Sequence, residues 1–225
     1  MTGGHIPIWL FVVLVTFDFG VPFFAELAGT TPWHPHHIAE RYGLFFIIVL
    51  GETILSVTVA LQVAFDKADP PTELWLVVAG GVLITFSGWW LYFARDNSGI
   101  LTDNSVGYVW GFGHYAIFAA AAAVGAGLAA RVDYYSHHSE ASDVVSSAFV
   151  TGPGAIFLAA LWIVNVRLHD SSIRTAIPFA AAVAAMIIST FVPYSELWAG
   201  LIGVTLLVIE IRLTADHDES VGAAN

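Results

Sequence analysis

The sequence contains no cysteine, and only seven of its 225 residues are lysine or arginine. Without cysteine the chain can form no disulfide, no thiolate metal site and no cysteine nucleophile. Because phosphate binding depends on clustered cations, the formal net charge of −11 argues against nucleic acid as a partner. Lys67 is the single lysine and lies in a predicted loop, which excludes a retinal protein with its Schiff base on the last helix.

Charged residues make up only 11% of the chain, whereas hydrophobic residues make up 57%. One soluble core cannot bury that much apolar surface, and runs of about 20 apolar residues are long enough to cross a bilayer. The sequence therefore predicts an all-α, polytopic transmembrane helix bundle over residues 1–213 and a disordered acidic cytoplasmic tail over residues 214–225. Seven spans are predicted, at residues 6–24, 37–63, 74–93, 106–130, 144–168, 176–192 and 197–213.

Prolines and loop cations refine this topology. Gly20 and Pro22 predict a break near the end of the first span, and a kink instead of a turn around Pro193 would reduce the seven spans to six. Cations are enriched in cytoplasmic loops. Five arginines fall on one side of the predicted bundle, against Lys67 and Arg131 on the other: Arg41, Arg95, Arg167, Arg174 and Arg212. This bias predicts a cytoplasmic C-terminus and an external N-terminus.

Three ionisable residues lie deep within predicted spans and form the candidate transport or proton site, namely Asp18, Glu52 and His114. Burying such a group in a membrane costs roughly 2.5 to 3.5 kcal/mol, so it usually faces the bundle interior. Glu210 lies nearer a span end and can reach the interface. The alternative is that these residues only hold helices together.

The second span carries a polar stripe along one face. At 100° per residue, Arg41 and Glu52 fall on the same side of the helix, and His37 and Ser56 extend the line. We expect this face to be turned away from lipid. His37, Glu40 and Arg41 lie at its cytoplasmic end and form a candidate gate.

A histidine cluster precedes this stripe and consists of His34, His36, His37 and Glu40. Imidazole and carboxylate groups suit zinc, and His36 and Glu40 are one helical turn apart. However, adjacent histidines point in different directions on a helix, and no HExxH pattern is present. The sequence therefore predicts no metal and no cofactor, with interfacial hydrogen bonding as the role of the cluster.

The run from His37 to Leu55, HIAERYGLFFIIVLGETIL, resembles the hallmark segment of the bacterial low temperature requirement A family. Similar stretches follow the same order elsewhere: Asp18 with Pro22, Trp89 to Phe93, and Gly113 to Tyr115. The chain departs from the family pattern at Ala94, where an acidic residue is usual. Family members are also longer, so the chain resembles their carboxy-terminal part or a short relative. The resemblance implies a multi-pass protein of the bacterial inner membrane that is linked to growth in the cold.

Two functions remain open on this evidence. The first is a proton- or ion-linked channel or transporter, and the second is a structural or sensory membrane component without transport activity. An enzyme is not expected, because neither HExxH nor GxSxG occurs in the sequence. Besides the lipid bilayer, the expected partners are a proton or small ion and either a second copy of the chain or another membrane chain.

Overall fold

The computed structural model describes residues 7–28, 34–66 and 71–222, and within these ranges the chain is helical and contains no strand. A π-helical turn, Trp162–Val166, interrupts the helix that ends at His169, and a short 3-10 turn, Ser98–Ile100, precedes the helix that begins at Asn104. The described helices are α1 Ile8–Ala28, α2 Pro35–Asp66, α3 Thr72–Phe93, α4 Asn104–Tyr135, α5 Asp143–His169, α6 Ile173–Ser189 and α7 Ser195–Gly222. Residues 1–34, which include α1, form one unit, and residues 35–225, which include α2 to α7, form another.

Five of these helices are long and apolar enough to cross a membrane: α2, α3, α4, α5 and the Ser195–Ala215 part of α7. Two shorter apolar stretches, Ile8–Asp18 and Ile173–Ser189, accompany them. A helix satisfies its own backbone hydrogen bonds, which is the requirement that hydrocarbon imposes on a spanning segment. The predicted all-helical bundle is therefore confirmed, and five of its spans are supported by length and composition.

The helix boundaries differ from the predicted spans in three places. α1 continues through Gly20 and Pro22 instead of breaking there. α6 and α7 are separate helices, because the chain turns between them and Tyr194 adopts a φ of 61°. α7 extends beyond the predicted boundary at residue 213 to Gly222, and so includes most of the acidic tail. Extending an existing helix costs far less than starting one, which favours this continuation.

Small residues allow the helices of the second unit to pack closely. A side chain on Gly80 would collide with the backbone of Glu196, and one on Gly127 would collide with the carbonyl oxygen of Phe149. These contacts join α3 to α7 and α4 to α5. Close backbone approach at small residues is typical of helix packing in membranes.

The surface of the second unit is largely apolar. Its exposed large side chains include Leu44, Ile48, Phe86, Ile156 and Ile187, which come from α2, α3, α5 and α6. Soluble monomers rarely expose so much contiguous apolar surface. The distribution fits helices whose outer faces contact lipid.

Candidate functional site

Three of the segments that carry the family resemblance meet in the bundle. Tyr42 of α2, Tyr92 of α3 and His114 of α4 pack around one point, where the His114 ring lies 5.0 Å from that of Tyr42 and 5.7 Å from that of Tyr92. The Trp110 ring lies 4.0 Å from His114 and closes another side. The His114 side chain is fully buried. A titratable imidazole thus lies in an aromatic pocket.

Two hydrogen bonds define the tautomer of the neutral His114 ring. Its Nδ1 lies 2.7 Å from the carbonyl oxygen of Trp110, and its Nε2 lies 3.1 Å from the hydroxyl of Tyr92. A carbonyl oxygen can only accept, so Nδ1 carries the proton and donates it. In the neutral ring Nε2 then accepts from the Tyr92 hydroxyl. The imidazole therefore has one nitrogen that is open to a proton arriving from Tyr92.

Tyr92 also lines an open groove of about 350 Å³ between the start of α2 and the end of α3. The walls combine apolar and polar groups: His36, Ala39, Glu40, Gly43, Leu44, Ile47, Phe93, Arg95, Asp96 and Asn97. A pocket with a few convergent polar groups is a typical binding site. The Tyr92 side chain thus lines the groove and also contacts the buried His114.

Several buried polar atoms at this end of the bundle have no hydrogen-bond partner among the residues that the structure describes. They are Asn97 Oδ1, Trp110 Nε1, both side-chain polar atoms of Asn165, and Glu210 Oε1. Buried polar groups are normally paired, because leaving one unpaired costs about 1 to 3 kcal/mol. These atoms can bond to water or a ligand. Asn165 lies in the π-helical turn of α5, a feature that often marks functional sites.

The segment between α3 and α4 is tied to neighbouring helices at the same end. Arg95 donates to Glu210 of α7 over 2.6 Å, and Glu210 is only 2% exposed. His169 of α5 contacts the backbone carbonyl oxygen of Asp96 at 2.9 Å. The Ser98 backbone N–H and hydroxyl lower the pKa of the Asp96 carboxyl, with smaller contributions from the His36 and His169 imidazoles. Asp96 is therefore ionised near neutral pH.

A second polar cluster lies at the opposite end of the bundle, and the sequence did not predict it. Arg131, expected to be a loop cation, is instead fully buried and donates to Glu196 of α7 over 2.9 Å. Arg131 also donates to Asp143 and Ser146 of α5 over 2.8 and 2.7 Å, and it contacts the Tyr135 hydroxyl. This cluster joins the ends of three helices. Arg131 and Glu196 each lie beside a predicted loop, so no sequence pattern indicated that they pair.

The predicted site residues are not all gathered at His114. Glu52 is exposed on α2, where its side chain runs along α4 next to Gly125. Ser56, from the same predicted stripe, is buried and donates to the Gly125 carbonyl oxygen over 2.7 Å. Asp18 lies on α1 and hence in the other unit.

The predicted gate lies at the mouth of the groove. His37, Glu40 and Arg41 are exposed, and His37 Nδ1 lies 3.7 Å from Glu40 Oε2. Lys67 lies outside the described residues.

The sequence is similar to one family of known proteins. The family model described as bacterial low temperature requirement A protein (LtrA) matches residues 1–211. A protein of Rhizobium meliloti (strain 1021) named as uncharacterized protein RA0937 is 29% identical over 139 residues, which cover 52% of this chain and 32% of that protein. The match thus spans about a third of the length of the relative. No solved structure matches the chain significantly. Since the family match covers nearly the whole sequence, the chain belongs to the bacterial low temperature requirement A family.

Proposed function

We propose that this chain is a multi-pass protein of the bacterial inner membrane that moves protons or small ions, without enzymatic activity. The observation that carries the proposal is the link between groove and bundle interior: Tyr92 lines the groove and its hydroxyl lies 3.1 Å from the buried His114. Ionisable groups inside a membrane protein are costly and usually mark an ion or proton pathway. His114 is therefore the proposed centre of the pathway.

In the proposed mechanism, a proton enters from the groove through Tyr92. The hydroxyl passes its own proton to His114 Nε2 and is reprotonated from the groove, while Nδ1 keeps its bond to the Trp110 carbonyl oxygen. Loss of the proton on the other side of the ring requires a change in packing, which is the usual basis of alternating access. Glu52 is proposed as a further proton-carrying group of this unit, and Asp18 as a titratable group of the unit that contains α1.

The groove is proposed to open to the cytoplasm, with the N-terminus of the chain outside. The proposed gate lies in the first turns of α2 at this end and consists of His37, Glu40 and Arg41. The loop cations support this orientation, because Arg95, Arg167 and Arg174 all lie at or beyond helix ends on the groove side.

Proton flux in proteoliposomes tests the proposal. Tyr92→Phe removes only the hydroxyl, and His114→Gln removes the titratable ring, so each is expected to lower flux driven by a pH gradient at least tenfold. Tyr194→Phe is the matched control, because Tyr194 lies at the other end of the bundle and is 41% exposed. Wild-type vesicles without flux would reject the transport function, and Tyr92→Phe vesicles with the flux of the control would reject the route through Tyr92.

A structural or sensory role is the second candidate, and two observations favour it. Glu52 is exposed on α2, and the Arg131 cluster holds three helix ends together. On this alternative, wild-type vesicles show no flux, and Glu52→Gln and His114→Gln change only stability. Under the transport proposal, Glu52→Gln keeps the fold, since the amide still forms hydrogen bonds, but lowers pH-dependent flux.

A further inference from the structure

Three side chains in the first turns of α2 converge at the mouth of the groove. The ligand atoms of His36, His37 and Glu40 all lie within 4.8 Å of one another. The His36 and His37 rings are nearly perpendicular, at 87°, with centroids 6.3 Å apart. The two rings therefore point in different directions, as the sequence argument expects. One nitrogen of each ring nevertheless lies near the Glu40 carboxylate.

Two imidazoles and one carboxylate form a known ligand set for zinc, which binds nitrogen and carboxylate oxygen at about 2.0 to 2.2 Å. In a tetrahedral site these distances place neighbouring ligand atoms roughly 3.3 to 3.5 Å apart. His37 Nδ1 and Glu40 Oε2 already lie 3.7 Å apart. All three side chains are exposed, so small rotations can bring His36 to the same distance while solvent supplies the remaining ligand.

The surroundings of this cluster favour a cation. His36 and Glu40 line the groove together with the carboxylate of Asp96. Arg95, which also lines the groove, forms an ion pair with Glu210, and Arg41 is exposed one residue after Glu40. The groove lining thus holds two carboxylates, those of Glu40 and Asp96, and one cation that is already ion-paired.

We propose that His36, His37 and Glu40 bind a divalent transition-metal ion of the zinc class at the mouth of the groove. The site does not depend on the proposed transport function, because all of its ligands come from one helix. Imidazole nitrogen selects zinc, nickel or copper over magnesium, which prefers oxygen ligands in an octahedral arrangement. A site with two imidazole ligands is therefore expected to bind zinc, nickel or copper and not magnesium.

Calorimetric titration of the full chain in detergent, purified through a tag that contains no histidine, tests this proposal. Wild-type protein is expected to bind one Zn²⁺ per chain and no Mg²⁺. His36→Gln, His37→Gln and Glu40→Gln should each weaken Zn²⁺ binding about tenfold or more, since even the loss of an outer hydrogen-bond partner costs 10- to 100-fold in metal affinity. These exposed substitutions leave the helix intact, which circular dichroism checks.

His137 and His138 provide the matched control. They form another adjacent histidine pair, are exposed, and lie after α4 at the opposite end of the bundle. The double variant His137→Gln, His138→Gln should bind Zn²⁺ as the wild type does. Absence of wild-type binding, unchanged affinity in the His36 and His37 variants, or an equal loss in the control would overturn the site.

Discussion

Two arginines of this chain are buried or nearly buried in the bundle, and each is paired with a glutamate of α7. Arg131 bonds to Glu196, and Arg95 bonds to Glu210. A charge away from water is tolerated only when a partner of opposite sign and further hydrogen bonds compensate for the lost hydration. α7 thus supplies one buried carboxylate to each end of the bundle.

The Arg131 cluster gives a prediction about stability. Glu196 is 0% exposed, whereas Asp143, the other carboxylate partner of Arg131, is 42% exposed. Removing one partner of a buried ion pair costs about 3 to 5 kcal/mol, but an exposed pair contributes about 0 to 1 kcal/mol. Glu196→Ala should therefore lower the free energy of unfolding far more than Asp143→Ala, as measured by reversible unfolding in mixed SDS and detergent micelles. Equal losses would mean that burial does not control this interaction.

At the scale of the helix, glycine positions decide which pairs of helices approach closely. α4 and α5 touch where Gly127 meets the backbone of Phe149. Elsewhere on α5, the position of a side chain on Gly152 has nothing within 4 Å. The two glycines thus have opposite roles, although both lie in apolar helices.

Alanine substitution separates these roles. Alanine stabilises a helix by up to about 1 kcal/mol relative to glycine, so Gly152→Ala should leave the free energy of unfolding unchanged or raise it. Gly127→Ala must push α4 and α5 apart, and overpacking of this kind costs about 1 to 3 kcal/mol. The same micelle unfolding assay measures both variants. A Gly127→Ala protein as stable as the Gly152→Ala protein would contradict the packing of α4 against α5.

At the scale of the whole molecule, the two ends of the bundle formed by α2 to α7 differ in chemistry. One end has the groove, several unpaired polar atoms and most of the arginines. At the other end, the Arg131 cluster joins α4, α5 and α7. In the predicted membrane orientation, the end that carries the groove faces the cytoplasm.

The absence of cysteine makes this orientation easy to test. A single introduced thiol is the only reactive one in the chain, so a maleimide that cannot cross the inner membrane reports its side. Ser171→Cys, between α5 and α6, should be protected in intact cells, whereas Glu140→Cys, between α4 and α5, should be labelled; both positions are exposed. Lysed cells, in which both thiols should react, provide the control. The reverse labelling pattern would invert the topology.

The sequence by itself determined the helical, membrane-spanning character of the chain and its family. Helix positions follow from local composition, because each run of about 20 apolar residues must satisfy its backbone hydrogen bonds internally in lipid. The predicted spans at 74–93 and 144–168 accordingly begin and end within two residues of the ends of α3 and α5. His114 was also predicted as a site residue from the sequence, whereas Tyr42 and Tyr92 lie in segments that resemble the family but were not predicted to contact His114.

Only the tertiary structure decided which faces of these helices meet. A helix that is apolar on all sides does not reveal its inner face through periodicity, and a stripe such as that of Arg41 and Glu52 can point outward. The bond between Arg131 and Glu196 joins residues 65 positions apart, and that between Tyr92 and His114 joins different helices. The rotation of each helix is set by close contacts with its neighbours, as between Gly80 and Glu196, and such contacts exist only once the helices pack.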